Sequence, residues 1–188
     1  MRPIAIPLVA ALALGGCQST QTAAPVSATT RFNPAEAAYI KKTGTVSISG
    51  HAFWRDENGG VTNAAGEVIR LVPATAYARQ RFAALYHGRG SIPADEISNT
   101  PVDPQYADYT RTTRAESNGR FDFDNVAPGE YFVTAQVRYK EQGRDGRRHR
   151  GVLGGLLNSN DDGGAMFETV TVTGKEEKAI KLVVTNDR

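Results

Sequence analysis

From Thr43 onward, apolar and polar residues alternate in short runs with a period of two, the signature of half-buried β-strands. The clearest run lies between Asn118 and Val137. Phe121 and Phe123 point to one face, while Arg120, Asp122 and Asp124 point to the other. Asn118-Gly119 supplies a turn before this strand, since both residue types tolerate positive φ. Pro128-Gly129 after it fits the centre of a type II turn. Tyr131, Val133, Ala135 and Val137 then form the next inward row, and the strand continues to Lys140.

The same pattern marks further strands. Val46 and Ile48 alternate with polar residues between Thr45 and Gly50, and the strand can run on through Ala52, Phe53 and Trp54. Asn58-Gly59-Gly60 and Asn63-Ala64-Ala65-Gly66 read as turns, followed by a strand over Glu67 to Pro73. Strands return at Tyr109 to Ala115, Phe167 to Thr173 and Lys178 to Thr185. One segment breaks the period. Ala78, Phe82 and Leu85 recur at helical spacing within Ala74 to His87, Thr75 suits an N-cap and Gly88 a helix C-terminus. This predicts an amphipathic helix covering an edge or end of a sheet. Gly90 to Asp108, with three prolines, reads as a long loop, and Asn158 to Gly164 as a polar one. Gly143 and Asp145-Gly146 suggest a hairpin tip.

The N-terminus follows other rules. Arg2 precedes an apolar stretch from Ile4 to Leu14, too short to span a bilayer as a helix. Leu14-Gly15-Gly16-Cys17 resembles the lipobox of bacterial lipoproteins, and Cys17 is the chain's single cysteine. The resemblance implies a signal peptide over 1–16 and a mature chain beginning at lipidated (palmitate-bearing) Cys17. Loss of Arg2 leaves 21 basic and 20 acidic residues, too balanced a charge to argue for nucleic acid binding. With its cysteine modified, the mature chain has no thiol for a disulfide. Gln18 follows Cys17 where an inner-membrane retention signal would have Asp, so the analogy implies the outer membrane, facing the periplasm or the surface. Residues 17–42 are expected to be a flexible linker: Gln18 to Thr30 is rich in Ser, Thr, Ala and Gln. Within it, Pro34 to Tyr39 could form a helical turn or two capped by Asn33.

The remainder, 43–188, is expected to be one domain. Gly44 to Gly50, Gly66-Glu67-Val68 with Leu71 to Thr75, Asn118-Gly119-Arg120-Phe121 and Pro128-Gly129-Glu130-Tyr131 together resemble the carboxypeptidase regulatory-like domain. That resemblance implies an all-β, transthyretin-like (prealbumin-like) β-sandwich of about seven strands, here with one inserted short helix. Such domains serve as accessory, spacer or binding modules, so the function has to come from a site.

Catalytic chemistry finds no support in the sequence. His51, His87 and His149 stand far apart, and there is no His-Glu-x-x-His or Gly-x-Ser-x-Gly motif. The C-terminal Tyr-Arg-Gly-Ser of transthyretin-like hydroxyisourate hydrolases is absent. Asn158, Asn160, Asp162 and Gly163 match four positions of a calcium loop, but Thr169 stands where its bidentate Glu belongs, so a solvated turn is expected. Neither a metal nor any other cofactor is expected. Tyr77, Tyr86, Tyr106 and Tyr109 could form a sugar-stacking surface, although packing is the better reading of aromatic residues there. The leading functional feature is basic. Arg138, Lys140, Arg144, Arg147, Arg148 and Arg150 fall within thirteen residues, offset only by Glu141 and Asp145. On a hairpin they would meet anionic lipid, glycan or an acidic partner, or else guard a strand edge from mispairing. The sequence therefore predicts a non-enzymatic envelope lipoprotein acting as a binding or assembly module. Its partners would be the membrane, through Cys17, and an envelope polymer or protein. The alternative is a structural subunit of an outer-membrane complex such as a secretion system, and a hydrolase ranks last.

Overall fold

The structure is a computed structural model and describes residues 30–98, 101–140 and 161–187. Two sheets face one another. In the first, β1 (Val46–Arg55) pairs antiparallel with β2 (Val61–Asn63) and β6 (Arg120–Val126) and parallel with β9 (Ile180–Val184). The second is antiparallel throughout, in the order β4 (Ser91–Pro93), β8 (Asp161–Val172), β7 (Gly129–Lys140), β3 (Val68–Pro73), β5 (Arg111–Arg114). Seven of these strands have four or more residues, in line with the expected sandwich, and the three-residue β2 and β4 are additions.

The alternation seen in the sequence builds the interior. Phe121, Phe123 and Val126 of β6 and Ile48 of β1 are buried from one side. Tyr131, Val133, Ala135 and Val137 of β7, with Ile69, Leu71 and Met166, are buried from the other. Arg120, Asp122 and Asp124 stay exposed, as the period requires. The Asn118-Gly119 turn forms as expected. Gly119 takes a φ of 79°, and the Asn118 side chain accepts the Arg120 N–H at 2.9 Å. This turn carries the chain from β5 in one sheet to β6 in the other.

The second expected turn is different. Gly129 has a φ of 158°, a value L side chains rarely adopt, and begins β7 instead of sitting inside a type II turn. Asn125 takes the left-handed conformation, at φ 55°, where the β1–β6 register shifts between Val46 and Ile48. Gly129 is dictated by a neighbour distant in sequence: a Cβ there would lie 2.3 Å from the Tyr39 ring.

Tyr39 belongs to the stretch expected to be linker, and here the expectation needs correcting. The Asn33 side chain accepts the Ala35 N–H, Pro34 opens α1 (Pro34–Ala37), and a 3-10 turn follows over Ala38–Lys41. These turns pack on the sandwich. Ala37 and Ile40 are buried, and Phe32 lies edge-on to Tyr77, Tyr106 and Tyr109 at 5.5–5.8 Å. The Tyr39 hydroxyl donates to Glu130 O at 2.5 Å and accepts from Ala74 N at 3.1 Å. The domain thus takes in residues from Thr30 onward, because this segment carries enough apolar surface to repay its ordering. Residues 1–29, with the signal segment and Cys17, lie outside the described residues.

Helix α2 (Ala76–Tyr86) is capped by Thr75, whose Oγ1 accepts the Ala78 N–H. It lies across a sheet face, where an edge or end was expected. β7 is apolar on both sides: between the inward Tyr131 and Val133 stands Phe132, facing out. Phe82 stacks on Phe132 at 4.4 Å between centroids and meets Phe167 edge-on at 4.9 Å, while Tyr86 bonds Thr134 Oγ1 at 3.1 Å. Val72, Ala78, Ile92 and Ala165 complete this second core. The expected loop of Gly90 to Asp108 is also more ordered than its prolines imply. It contributes β4, paired with β8, and 3-10 turns at Ala94–Glu96 and Ala107–Tyr109.

Candidate functional site

The residues singled out in the sequence are mostly not brought together. Arg138 is exposed near the end of β7, in register with Gly163, and Lys140 ends the strand in register with Asp161. Arg144, Arg147, Arg148 and Arg150 lie outside the described residues, as do Cys17 and His149. The His51 ring pairs with Asn63 Oδ1 at 3.0 Å, and His87 caps α2 in the left-handed conformation. Asp162 and Gly163 are part of β8, opposite Tyr139 and Arg138, so where a solvated turn was expected half of the segment is a strand. Asn158 and Asn160 are outside the described residues. Among the described residues no three His, Cys, Asp or Glu side chains are grouped to hold a metal. Tyr77, Tyr106 and Tyr109 surround Phe32 and Tyr86 is buried, so the tyrosines act as packing. Burial raises the Tyr86 and Tyr106 phenols above the ordinary value.

A site that the sequence pattern did not reveal lies at the end of the sandwich where β1 and β7 finish. It is a cleft of about 500 Å³. Trp54 and Tyr139 provide its aromatic walls, and Asp56, Glu57, Asn58 and Asn186 its polar rim. Each element has a reason to stand there. Trp54 is the penultimate residue of β1 and rests against β8, where a Cβ at Gly164 would lie 2.4 Å from the indole. A side chain at 164 would also meet the Ile92 carbonyl oxygen of β4 at 2.1 Å. The Asp56 Oδ1 accepts from Asn58 N at 2.9 Å and Gly60 N at 2.7 Å, which fixes the turn carrying Glu57 and Asn58. The Asn186 amide spans the Arg55 backbone, accepting from its N–H at 2.7 Å and donating to its carbonyl at 2.8 Å. It extends the β1–β9 ladder by a side chain. Arg55 Nε holds Asp187 at 2.9 Å.

The aromatic walls and polar rim come from separate stretches of sequence: the β1–β2 turn, the end of β7 and the residue pair after β9. Asn58-Gly59-Gly60 was legible as a turn and Trp54 as strand, but nothing in local spacing places Tyr139 and Asn186 beside them. A second depression of about 390 Å³ runs along α2 past Tyr77 and Leu85. There the Arg81 guanidinium is engaged by Pro101 O at 3.2 Å.

No family model and no curated protein matches the chain. Solved structures do. A candidate carbohydrate-binding protein from Pseudomonas aeruginosa is 23% identical, over 84% of this chain and 99% of that one, with a TM-score of 0.63. The minor pilin of the Gram-positive pathogen Streptococcus agalactiae is 14% identical, over 77% of this chain and 45% of its own, at a TM-score of 0.36. A streptococcal ancillary pilin is 11% identical, over 77% and 33%, at 0.32. The Pseudomonas protein is similar enough in shape to establish an all-β sandwich as the fold that this chain shares.

Proposed function

We propose that the chain is a non-enzymatic binding module of the cell envelope, anchored in the outer membrane through lipidated Cys17. The observation that carries this reading is the convergence at one end of the sandwich. Lys140 and Asp161 form the last register pair of β7 and β8, the one next in the chain to Tyr139 of the cleft and the other two residues before Gly163. The twenty residues between them contain Arg144, Arg147, Arg148 and Arg150. The cleft thus lies at the strand ends that the basic segment joins in the sequence, and binding residues are commonly carried at the ends of such a rigid scaffold. The similarity in fold to a candidate carbohydrate-binding protein supports the same reading.

Two experiments test it. Labelling cells with radioactive palmitate should mark the protein, and Cys17→Ser should abolish the label; a label that persists removes the anchor from the proposal. A crosslinked pull-down from intact cells should recover an envelope polymer or protein, and changing Arg144, Arg147, Arg148 and Arg150 to Ser should lower the yield. Recovery of nothing refutes the binding reading.

A second reading, as a structural subunit of an outer-membrane complex such as a secretion system, is favoured by β9. Among the described residues β9 pairs with β1 alone, which leaves its other edge to accept a partner strand. A single protein recovered in stoichiometric amount would select this reading.

A further inference from the structure

We infer that the Trp54 cleft takes a neutral oligosaccharide, an assignment that rests on the binding-module reading. A pyranose ring presents patches of C–H bonds on its faces and hydroxyls around its rim. Its recognition therefore needs an aromatic face beside groups that both donate and accept hydrogen bonds. The negative face of an aromatic ring attracts the positively polarised C–H groups. Trp54 provides that face from the last turn of a strand, seated against Gly164, so its orientation is set before a ligand arrives.

The rim matches the hydroxyls. Glu57 offers a carboxylate acceptor, while Asn58 offers an amide that both donates and accepts. Both side chains are exposed, and neither has a hydrogen-bond partner among the described residues. The turn that carries them is held by Asp56 through backbone N–H groups, which leaves their side chains available. Charge selects among sugars. Asp56 and Glu57 outnumber Arg55 in the lining, and Arg55 is paired with Asp187 outside it. Within the lining itself a neutral chain meets only acceptors and donors and needs no counter-charge. The volume lies within the roughly 300–1,000 Å³ typical of small-molecule sites, and the cleft opens at the strand ends, so a chain of sugars can continue beyond it.

Trp54 is the chain's single tryptophan, so its fluorescence reports on this cleft alone. The full chain, in a detergent without a sugar headgroup, would be titrated with cellohexaose, maltohexaose and chitohexaose. At least one should shift the emission saturably. The double variant Glu57→Gln with Asn58→Ala should weaken that ligand at least fivefold while leaving the unfolding temperature unchanged. Trp54→Phe, followed by calorimetry, should weaken it at least tenfold. The exposed rim variant keeps the test decisive should Trp54→Phe lose stability. A shift that the rim variant leaves intact overturns the assignment of the site. No shift with any of the three sugars overturns the oligosaccharide, and the binding-module reading then survives only if the pull-down still recovers an envelope partner. Failure of both experiments removes both readings.

Discussion

Replacing Gly129 by Ala would test whether Tyr39 staples the N-terminal segment to the sandwich. A φ of 158° is one that L side chains rarely adopt, so Ala carries a backbone cost of about 1–3 kcal/mol. Beyond that cost, the new Cβ would lie 2.3 Å from Tyr39 Cε2 and drive the ring off. Leaving its place, Tyr39 gives up its bonds to Glu130 O and Ala74 N and its edge-on contact with Tyr131 at 5.1 Å. Ala74 N also donates to Glu130 O at 2.9 Å, so neither group is orphaned and the loss stays near the net value of a hydrogen bond, about 1 kcal/mol. The aromatic pair adds roughly 0.5–1.5 kcal/mol, and lost packing of the half-buried ring brings the ring's share to about 2–3 kcal/mol. Tyr39→Ala should cost about this ring share, without the backbone cost at 129. In that background Gly129→Ala meets no ring and should add only the backbone cost of about 1–3 kcal/mol, a coupling of about 2 kcal/mol in a double-mutant cycle. Urea unfolding of the four proteins supplies the energies. Additive costs would mean that the backbone at 129, and not Tyr39, demands glycine, and the staple would be refuted.

Three further outcomes follow from the packing. Phe82→Ala removes the ring that stacks on Phe132 and should cost about 3–5 kcal/mol in urea unfolding; a cost below about 1.5 kcal/mol would make α2 peripheral to stability. Phe32→Ala should speed tryptic cleavage at Lys41 and Lys42 relative to the unaltered protein, and an unchanged rate there would show that Phe32 does not hold the segment. Burial raises the phenols of Tyr39, Tyr86, Tyr106 and Tyr131 above their ordinary value of 10.0. Their neutral forms are favoured in the fold, so stability is complete below about pH 10 and falls as pH rises from there toward the raised values. The unfolding temperature should drop between pH 10 and about 12, less steeply in Tyr131→Phe; a flat profile would contradict the burial of these hydroxyls.

What the sequence disclosed and what it hid divide by distance along the chain. Phe121 with Phe123, and the row from Tyr131 to Val137, were legible because a strand's own period reports which face is buried. Thr75 and Asn33 were legible as caps because each bonds within three residues. Phe132 and Phe167 were hidden in plain view: as apolar residues on the outward positions of their strands, they foretold a second buried face, but only the folded sheet shows that α2 lies on it. Pro128-Gly129 looked like a turn because local rules see two residues and not Tyr39, ninety residues away. The linker boundary failed for a related reason, since Phe32, Tyr39 and Ile40 have no periodicity and are ordered by partners far along the chain. The cleft was least legible, being assembled from strand ends that only the sheet pairing brings together.

The parallel course of β1 and β9 gives the molecule a direction. β1 enters beside the Tyr39 staple and leaves at Trp54, and β7, starting at Gly129 under the same tyrosine, leaves at Tyr139. Ten residues of strand separate the two poles, roughly 30 Å at about 3.3 Å per residue. The N-terminal segment is docked near one pole, so it acts as a hilt and the sheets as a blade. Force or tension applied through the N-terminal side would reach the sandwich at the staple and load the Tyr39 contacts first. The cleft would stand at the far tip, spaced from any surface that holds the chain by a rigid length that a tether alone could not maintain.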